Sequence, residues 1–272
     1  MSDKIHRLKG RYRYSTILLK QLVKTDFKLR YQGSVLGYAW SLLRPLFLFV
    51  ILYFVFGVFL KAQGDIPHYP VYLLLGIVLW NYFSEVTLGG VASIVSNGDL
   101  IRKINFPKYV IILAGSFSAF INLLINFGVI AVFMYFGHVE LTWKALLMVP
   151  LIAELFILSI ALAFLLSALF VKFRDVTYIW EVIMQAGFYA TPILYPLVLV
   201  PHEAAKFLIL NPMAQIIQDA RYVLVTDKTD TIAQVFGGNT IIWGIPLGLT
   251  LILVVAASTY FRRQSRFFAE EV

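Results

Sequence analysis

Residues 109–136 read YVIILAGSFSAFINLLINFGVIAVFMYF, a run without a single Asp, Glu, Lys or Arg between Lys108 and Gly137. A hydrocarbon layer about 30 Å thick needs roughly 20 apolar residues per helix. This run therefore predicts a transmembrane helix. Five further stretches read the same way: 45–60 with a start near 36, 71–95, 145–171, 177–200 and 240–261. The expected fold is all-α, a polytopic membrane protein with six transmembrane helices. The bulk composition agrees. Hydrophobic residues make up 60% and charged residues 14% of the chain, with a mean hydropathy of +0.80. A soluble domain, at about 25% charged, keeps a polar skin that this chain lacks.

The basic residues orient the spans. With the N-terminus in the cytoplasm, eighteen of the 23 Lys and Arg fall in inside segments and five outside. The positive-inside rule then predicts both termini in the cytoplasm. This explains the net charge of +8 by topology, and no nucleic-acid partner is expected. Residues 1–44 are polar and basic for too long to read as a cleavable signal peptide. The chain divides into a cytoplasmic amphipathic interface region (1–35), a six-span membrane domain (36–263) and a cytoplasmic tail (264–272), together one transmembrane unit.

In the N-terminal region Leu19, Val23, Phe27 and Tyr31 recur every four residues, with Lys20, Lys24 and Lys28 on another face. Asp26 and Arg30 stand at i, i+4. The pattern predicts an amphipathic helix lying at the membrane interface. A second cytoplasmic element, 96–107, is too short to cross and too apolar to be solvated. It is expected to tuck against headgroups or enter a cleft on another protein, and Pro107 ends it. Between spans five and six, the apolar stretches 207–210 and 216–224 lie among prolines and predict outer re-entrant or interfacial helices.

Covalent chemistry is not expected. There is no cysteine, no GxxxxGK[ST] phosphate loop and no HExxH. His6, His68, His138 and His202 are far apart, so no metal site is expected. The intramembrane acids Glu85, Glu154 and Glu181 call for a functional reading. They fit an ion-coupled secondary carrier, or polar contacts in a wet cavity. Asn122 and Asn126 share a face of the third span and suit interhelical hydrogen bonds, and Gln185 lies in the fifth.

The run Asp26-Phe-Lys-Leu-Arg-Tyr-Gln-Gly-Ser-Val-Leu-Gly-Tyr-Ala-Trp40, followed by Leu43-Arg44-Pro45, resembles the N-terminal signature of ABC-2 type permeases that export polysaccharides. That family includes O-antigen and wall teichoic acid exporters. Residues 100–107 resemble its cytoplasmic coupling helix, Phe173-Arg174-Asp175 its motif after span four, and 191–196 with 210–213 its outer region. The resemblance covers essentially the whole chain, in order. It implies a homodimer in the bacterial cytoplasmic (inner) membrane, beside two copies of a separate ATP-binding subunit that holds ATP and Mg. The permease chain itself has no cofactor and no catalytic residue. The implied cargo is a lipid-linked glycan, usually on undecaprenyl diphosphate.

Under this resemblance, Asp99, Leu100, Ile101, Arg102, Lys103, Ile104 and Phe106, with Lys24 and Asp26, couple to the ATP-binding subunit. Lys28, Arg30, Tyr31 and Arg44 are candidates for the lipid diphosphate or a gate, since guanidinium groups bind phosphate bidentately. Tyr38, Trp40, Tyr53, Trp80, Tyr82, Tyr189 and Tyr195 are candidate channel aromatics, able to stack on sugar rings or to sit in interfacial belts. An ABC-2 exporter of small lipids or drugs is the neighbouring alternative.

Overall fold

A single apolar run in lipid can satisfy its backbone polar groups within itself only as a helix, and helix is what these runs form. The computed structural model describes residues 16–25, 36–37, 39–61, 64, 66–104 and 106–271. The described residues contain no strand. Helix α1 covers residues 16–25. The rest are α2 (Ala39–Leu52), α3 (Tyr69–Ser96), α4 (Gly98–Lys103), α5 (Tyr109–Phe136), α6 (Met148–Lys172), α7 (Val176–Ala190), α8 (His202–Ile209), α9 (Pro212–Leu224), α10 (Ile232–Val235), α11 (Gly244–Gln264) and α12 (Phe268–Glu271).

Among the described residues, five helical segments are long and apolar enough to cross a membrane: Ala39–Phe59, Tyr69–Ser96, Tyr109–Phe136, Trp143–Lys172 and Thr240–Gln264. The first joins α2 to a π-helical stretch, Tyr53–Phe59, in which Leu60 N–H reaches Val55 O at 2.9 Å. The expected fifth span, 177–200, is corrected: α7 stops at Ala190 after 15 residues. Thr191 precedes Pro192, and a residue before proline is driven out of the helical region. Thr191 is accordingly extended, at φ −76° and ψ 138°. At 1.5 Å per residue α7 is about 22 Å long, short of the hydrocarbon thickness.

Helix α3 is the axis of the molecule. It is apolar nearly all round, as an interior helix must be, and α2, α5, α6, α7 and α9 pack on it. Its closest approach is to α6. A Cβ added at Gly90 would lie 2.6 Å from Ala163 Cβ and 3.0 Å from Ala163 Cα. Because one of those atoms is backbone, the helices must move apart to admit it. Gly90→Ala is expected to cost about 1–3 kcal/mol of stability, read as a lowered Tm of the purified protein. Gly89→Ala, with nothing within 4 Å of its Cβ, should leave Tm unchanged or raise it. Equal Tm shifts for the two variants would contradict this packing.

Helix α11 lies along α6. Near its end Phe261 meets Phe164 in the second half of α6, with ring centroids 4.8 Å apart. Its start lies beside α9, which also packs on the 3-10 turn Trp143–Leu147 that opens α6. The two helices thus run in the same direction. Helix α12 packs on α4 and α6, with Phe268 edge-on to Phe261 at 5.4 Å. At the other end, α8, α9 and α10 form a cap. Asn211 caps α9 by accepting Met213 N–H at 3.0 Å, with Pro212 in the first turn. Thr231 and Gln234 make a capping box on α10.

Candidate functional site

A polar groove opens between α2, α3 and α5. It encloses about 700 Å³ and is lined by Trp40, Arg44, Asn81, Tyr82, Glu85, Asn122 and Asn126, among others. The polar residues come from single faces of their helices, so the groove follows directly from helical spacing. Asn122 Nδ2 donates to Glu85 Oε1 at 3.1 Å and joins α5 to α3. Asn126 Nδ2 donates to Asn122 O at 2.8 Å and to Ser41 O at 3.3 Å, which ties α5 to α2. The interhelical role expected of both asparagines is therefore what they perform. A second cavity of about 300 Å³ shares Glu85 and Gly89 with the first and continues to Thr25, Ser96 and Asn97 beside α4. The two cavities thus adjoin at Glu85 and Gly89, between the α4 end and the middle of the helical bundle.

The aromatic candidates separate into distinct groups. Trp40 and Tyr82 line the groove, Trp40 exposed and Tyr82 buried edge-on to Phe120 at 6.3 Å. Trp80 is core: it packs on Phe83 and Phe188, and a Cβ at Gly187 would meet it at 3.0 Å. Tyr53 stacks on Phe49 at 5.8 Å in the π-helical segment. Tyr195 closes the end of α7 by donating to Tyr189 O and Ala190 O at 3.3 and 3.2 Å. Tyr38, Asp26, Lys28, Arg30 and Tyr31 lie outside the described residues.

Helix α7 presents an uncovered stripe. Tyr178, Glu181, Gln185 and Tyr189 follow i, i+3, i+7, i+11 and are all exposed. Its other side meets α3 through Met184, Gly187 and Phe188. Glu181 and Glu85 therefore occupy different surfaces. Glu154 is elsewhere again, at the cap, where Gln215 lies against its carboxyl.

The α4 residues also divide. Asp99, Arg102, Lys103 and Ile104 are exposed, as is Lys24 on α1. Ile101 and Phe106 are each 5% exposed and belong to the main core. Those two anchor α4 to the bundle and are not available to a partner, while Leu100 is half-buried.

Sequence reasoning missed the strongest polar feature of the cap. Arg221 on α9 is completely buried. Its Nε donates to Tyr72 O at 3.0 Å, Nη1 to Pro192 O at 2.6 Å and Nη2 to Ile193 O at 2.6 Å. The guanidinium carbon lies 3.6 Å from the centre of the Tyr72 ring, a cation–π contact. Tyr69 OH donates to Leu194 O at 2.7 Å, and Tyr72 OH to Gln218 Oε1 at 3.3 Å. The cation thus clamps the break after α7 and the cap onto the start of α3. Its signal was a lone arginine inside the apolar run 216–224.

The family described as ABC-2 type transporter matches residues 17–225, which takes in α1, the groove, α4, α7 and the Arg221 clamp. The chain belongs to the ABC-2 type transporter family. Among its curated relatives is the O-antigen export system permease protein RfbA of Myxococcus xanthus, 27% identical over 264 residues, covering 96% of this chain and 97% of that protein. RfbA of Klebsiella pneumoniae is 31% identical over 212 residues, 78% and 81% of the two chains. The polysialic acid transport protein KpsM of Escherichia coli is 23% identical over 210 residues, 75% and 80% of the two chains. In this ABC-2 chain the matched region ends just after α9, so α10, α11 and α12 lie beyond it.

Proposed function

We propose that this ABC-2 chain is the membrane permease of an ATP-driven polysaccharide exporter. It works as a homodimer with two copies of a separate ATP-binding subunit, which binds ATP and Mg. The observation that carries the reading is the α7 stripe. A carboxylate and an amide facing hydrocarbon are costly, so Tyr178, Glu181, Gln185 and Tyr189 need a second copy or water across from them. Two such stripes facing one another would wall a polar path in which tyrosines stack on sugar rings. The names of the relatives favour a polysaccharide cargo over an ion or a drug.

Six crossings fit this arrangement. Helices α6 and α11 run in the same direction, so the chain between them must return across the membrane. Tyr69 at the start of α3 holds Leu194, whereas α7 begins four residues after the end of α6. The segment 176–194 is then the fifth crossing in chain order, shorter than 177–200 and completed by the broken turn after Ala190, which brings the total to six. Helices α8 and α9 start and finish on the outer side as a re-entrant pair. The positive-inside pattern supports both termini lying in the cytoplasm of a bacterium.

The groove is proposed to receive the lipid-linked end of the cargo. Arg44 would bind its diphosphate, with Lys28, Arg30 and Tyr31 completing the site. The exposed side of α4 and Lys24 would receive the push of the ATP-binding subunit. The chain performs no covalent step.

Co-expression with the neighbouring ATP-binding gene tests the reading. A stable complex is expected, with ATP hydrolysis stimulated by a lipid-linked glycan in proteoliposomes. The absence of native cysteine permits Gln185→Cys as a clean crosslinking probe, which should yield a covalent permease dimer. A monomeric permease without such a partner, driven by a proton gradient alone, would falsify the proposal.

A further inference from the structure

The cap holds a second buried polar cluster, separate from the groove and the Arg221 clamp. Glu154 projects from α6, and Gln215 and Asp219 from α9. Gln215 Nε2 donates to Asp219 Oδ2 at 2.6 Å, and the same amide head lies against the Glu154 carboxyl. Gln215 and Asp219 are each 1% exposed, and Glu154 is half-buried with its Oε1 enclosed. Three acceptor oxygens in this cluster are buried without a donor: Glu154 Oε1, Gln215 Oε1 and Asp219 Oδ1. The unpartnered donor Gln218 Nε2 lies on the same helix, in the amide that faces Tyr72, so these three oxygens are short of hydrogen, and the two carboxyls bracket a single amide.

The surrounding cations are committed elsewhere. Arg221 on the same helix gives its three donor nitrogens to carbonyls. Lys144, before α6, lies 3.3 Å from Tyr222 OH and over its ring. Lys206 on α8 pairs with Glu203 at 2.9 Å, at the surface. From α3, the hydroxyls of Tyr69 and Tyr72 are directed to Leu194 O and Gln218 Oε1. Helix α10 contributes no titratable side chain, and Asp230, before it, bears on Tyr72. From α11 the buried polar group is Thr250.

Two ionised carboxylates around one amide, with no cationic side chain bonded to them among the described residues, repel each other in a low dielectric. The pair resolves this by keeping one proton between them. We propose that Glu154 and Asp219 bind one exchangeable proton through Gln215, and that this proton fastens α9 to α6. One carboxyl becomes an O–H donor to Gln215 Oε1 or to its partner carboxylate, which supplies the missing hydrogen. The proton comes from water on the outer side, and its loss leaves two anions that push the helices apart.

Burial, with Glu154 adding to it against the Gln215 hydrogen bond, holds the Asp219 carboxyl up at about 7, from an ordinary 3.8. The sign follows from linkage. The folded protein binds the proton more tightly than the unfolded chain does, so stability from this site falls as pH rises from 3.8 to about 7 and is level above.

The test uses the full chain in nanodiscs, so that it succeeds or fails independently of any cargo or ATP-binding partner. Hydrogen exchange of the α9 amides, corrected for the intrinsic pH effect, should quicken by at least ~10-fold between about pH 5 and about pH 8.5. Glu154→Gln and Asp219→Asn, whose amides supply the missing donor permanently, should abolish this rise and stay protected. Sodium or potassium chloride at the upper pH should restore nothing. Exchange that ignores pH in the wild type, a rise that persists in both variants, or protection restored by sodium would each overturn the proton assignment. If the variants do not fold, infrared spectra of wild-type protein with isotope-labelled Asp or Glu decide it. A protonated carboxylic acid band assigned to either type is expected at neutral pH, and its absence overturns the proposal.

Discussion

Arg221→Ala is expected to cost about 3–5 kcal/mol and to release the cap from α3. Pro192 and Ile193 lie in the break after α7, outside any helix, and their carbonyls are buried. Each buried acceptor left without its donor costs about 1–3 kcal/mol. The cavity left by the side chain and the lost contact with the Tyr72 ring add to this. Removing the buried cation also removes its desolvation cost, which keeps the total below the simple sum. Arg221→Lys should recover little, because an ammonium cannot span three carbonyls in a planar fork. Gly76 supplies an internal check. A Cβ there would lie 2.5 Å from Arg221 Nη2, and the guanidinium is pinned and cannot yield. Gly76→Ala should therefore destabilise the wild type and be neutral in the Arg221→Ala background. Additive Tm shifts for the pair would show that the clamp has been misread.

A larger effect on transport than on folding is expected from the outward side of α4. Ile104 is 40% exposed, and Lys103 beside it is also exposed. If this face receives the ATP-binding subunit, Ile104→Asp with Lys103→Glu places two acidic charges in a desolvated contact. A loss of about 2 kcal/mol or more there is typical of an interface hot spot, and it corresponds to a roughly 30-fold weaker complex. Glycan-stimulated ATP hydrolysis should fall with it while Tm stays within a degree or two of wild type. Phe106→Ala should do the reverse, lowering Tm through a core cavity. Normal coupling in the double variant would remove α4 from the contact surface.

The bounds of α5 were legible because its uncharged run is flanked by Lys108 and Gly137, so composition and helix ends coincide. Asn122 and Asn126 were legible as a pair because four-residue spacing is a local property. The end of α7 lay within reach of the Thr191–Pro192 step, but the apolar stretch beyond it masked the signal. The clamp was not legible. Arg221 takes its partners from carbonyls 28 and 29 residues away and from a helix 149 residues away, and carbonyls carry no sequence identity. Nor could the sequence divide residues 99–106 into anchor and contact sides. That depends on where the main core and α12 lie against α4. Glu154 read as an isolated intramembrane acid, and Asp219, not singled out in the sequence, meets it only because α9 folds back onto α6.

Helix α3 also has a mechanical consequence. It is one unbroken rod of 28 residues, about 42 Å long at 1.5 Å per residue. Only Asn97 separates its C-terminal end from α4, and its N-terminal end carries the residues that grip Arg221. A stroke of a few ångströms delivered at α4 would therefore reach the cap as axial motion, with no hinge along the way to absorb it. The short turn between Ala190 and Tyr195 would travel with it, because Arg221 and Tyr69 fasten Pro192, Ile193 and Leu194 to the far end of the rod.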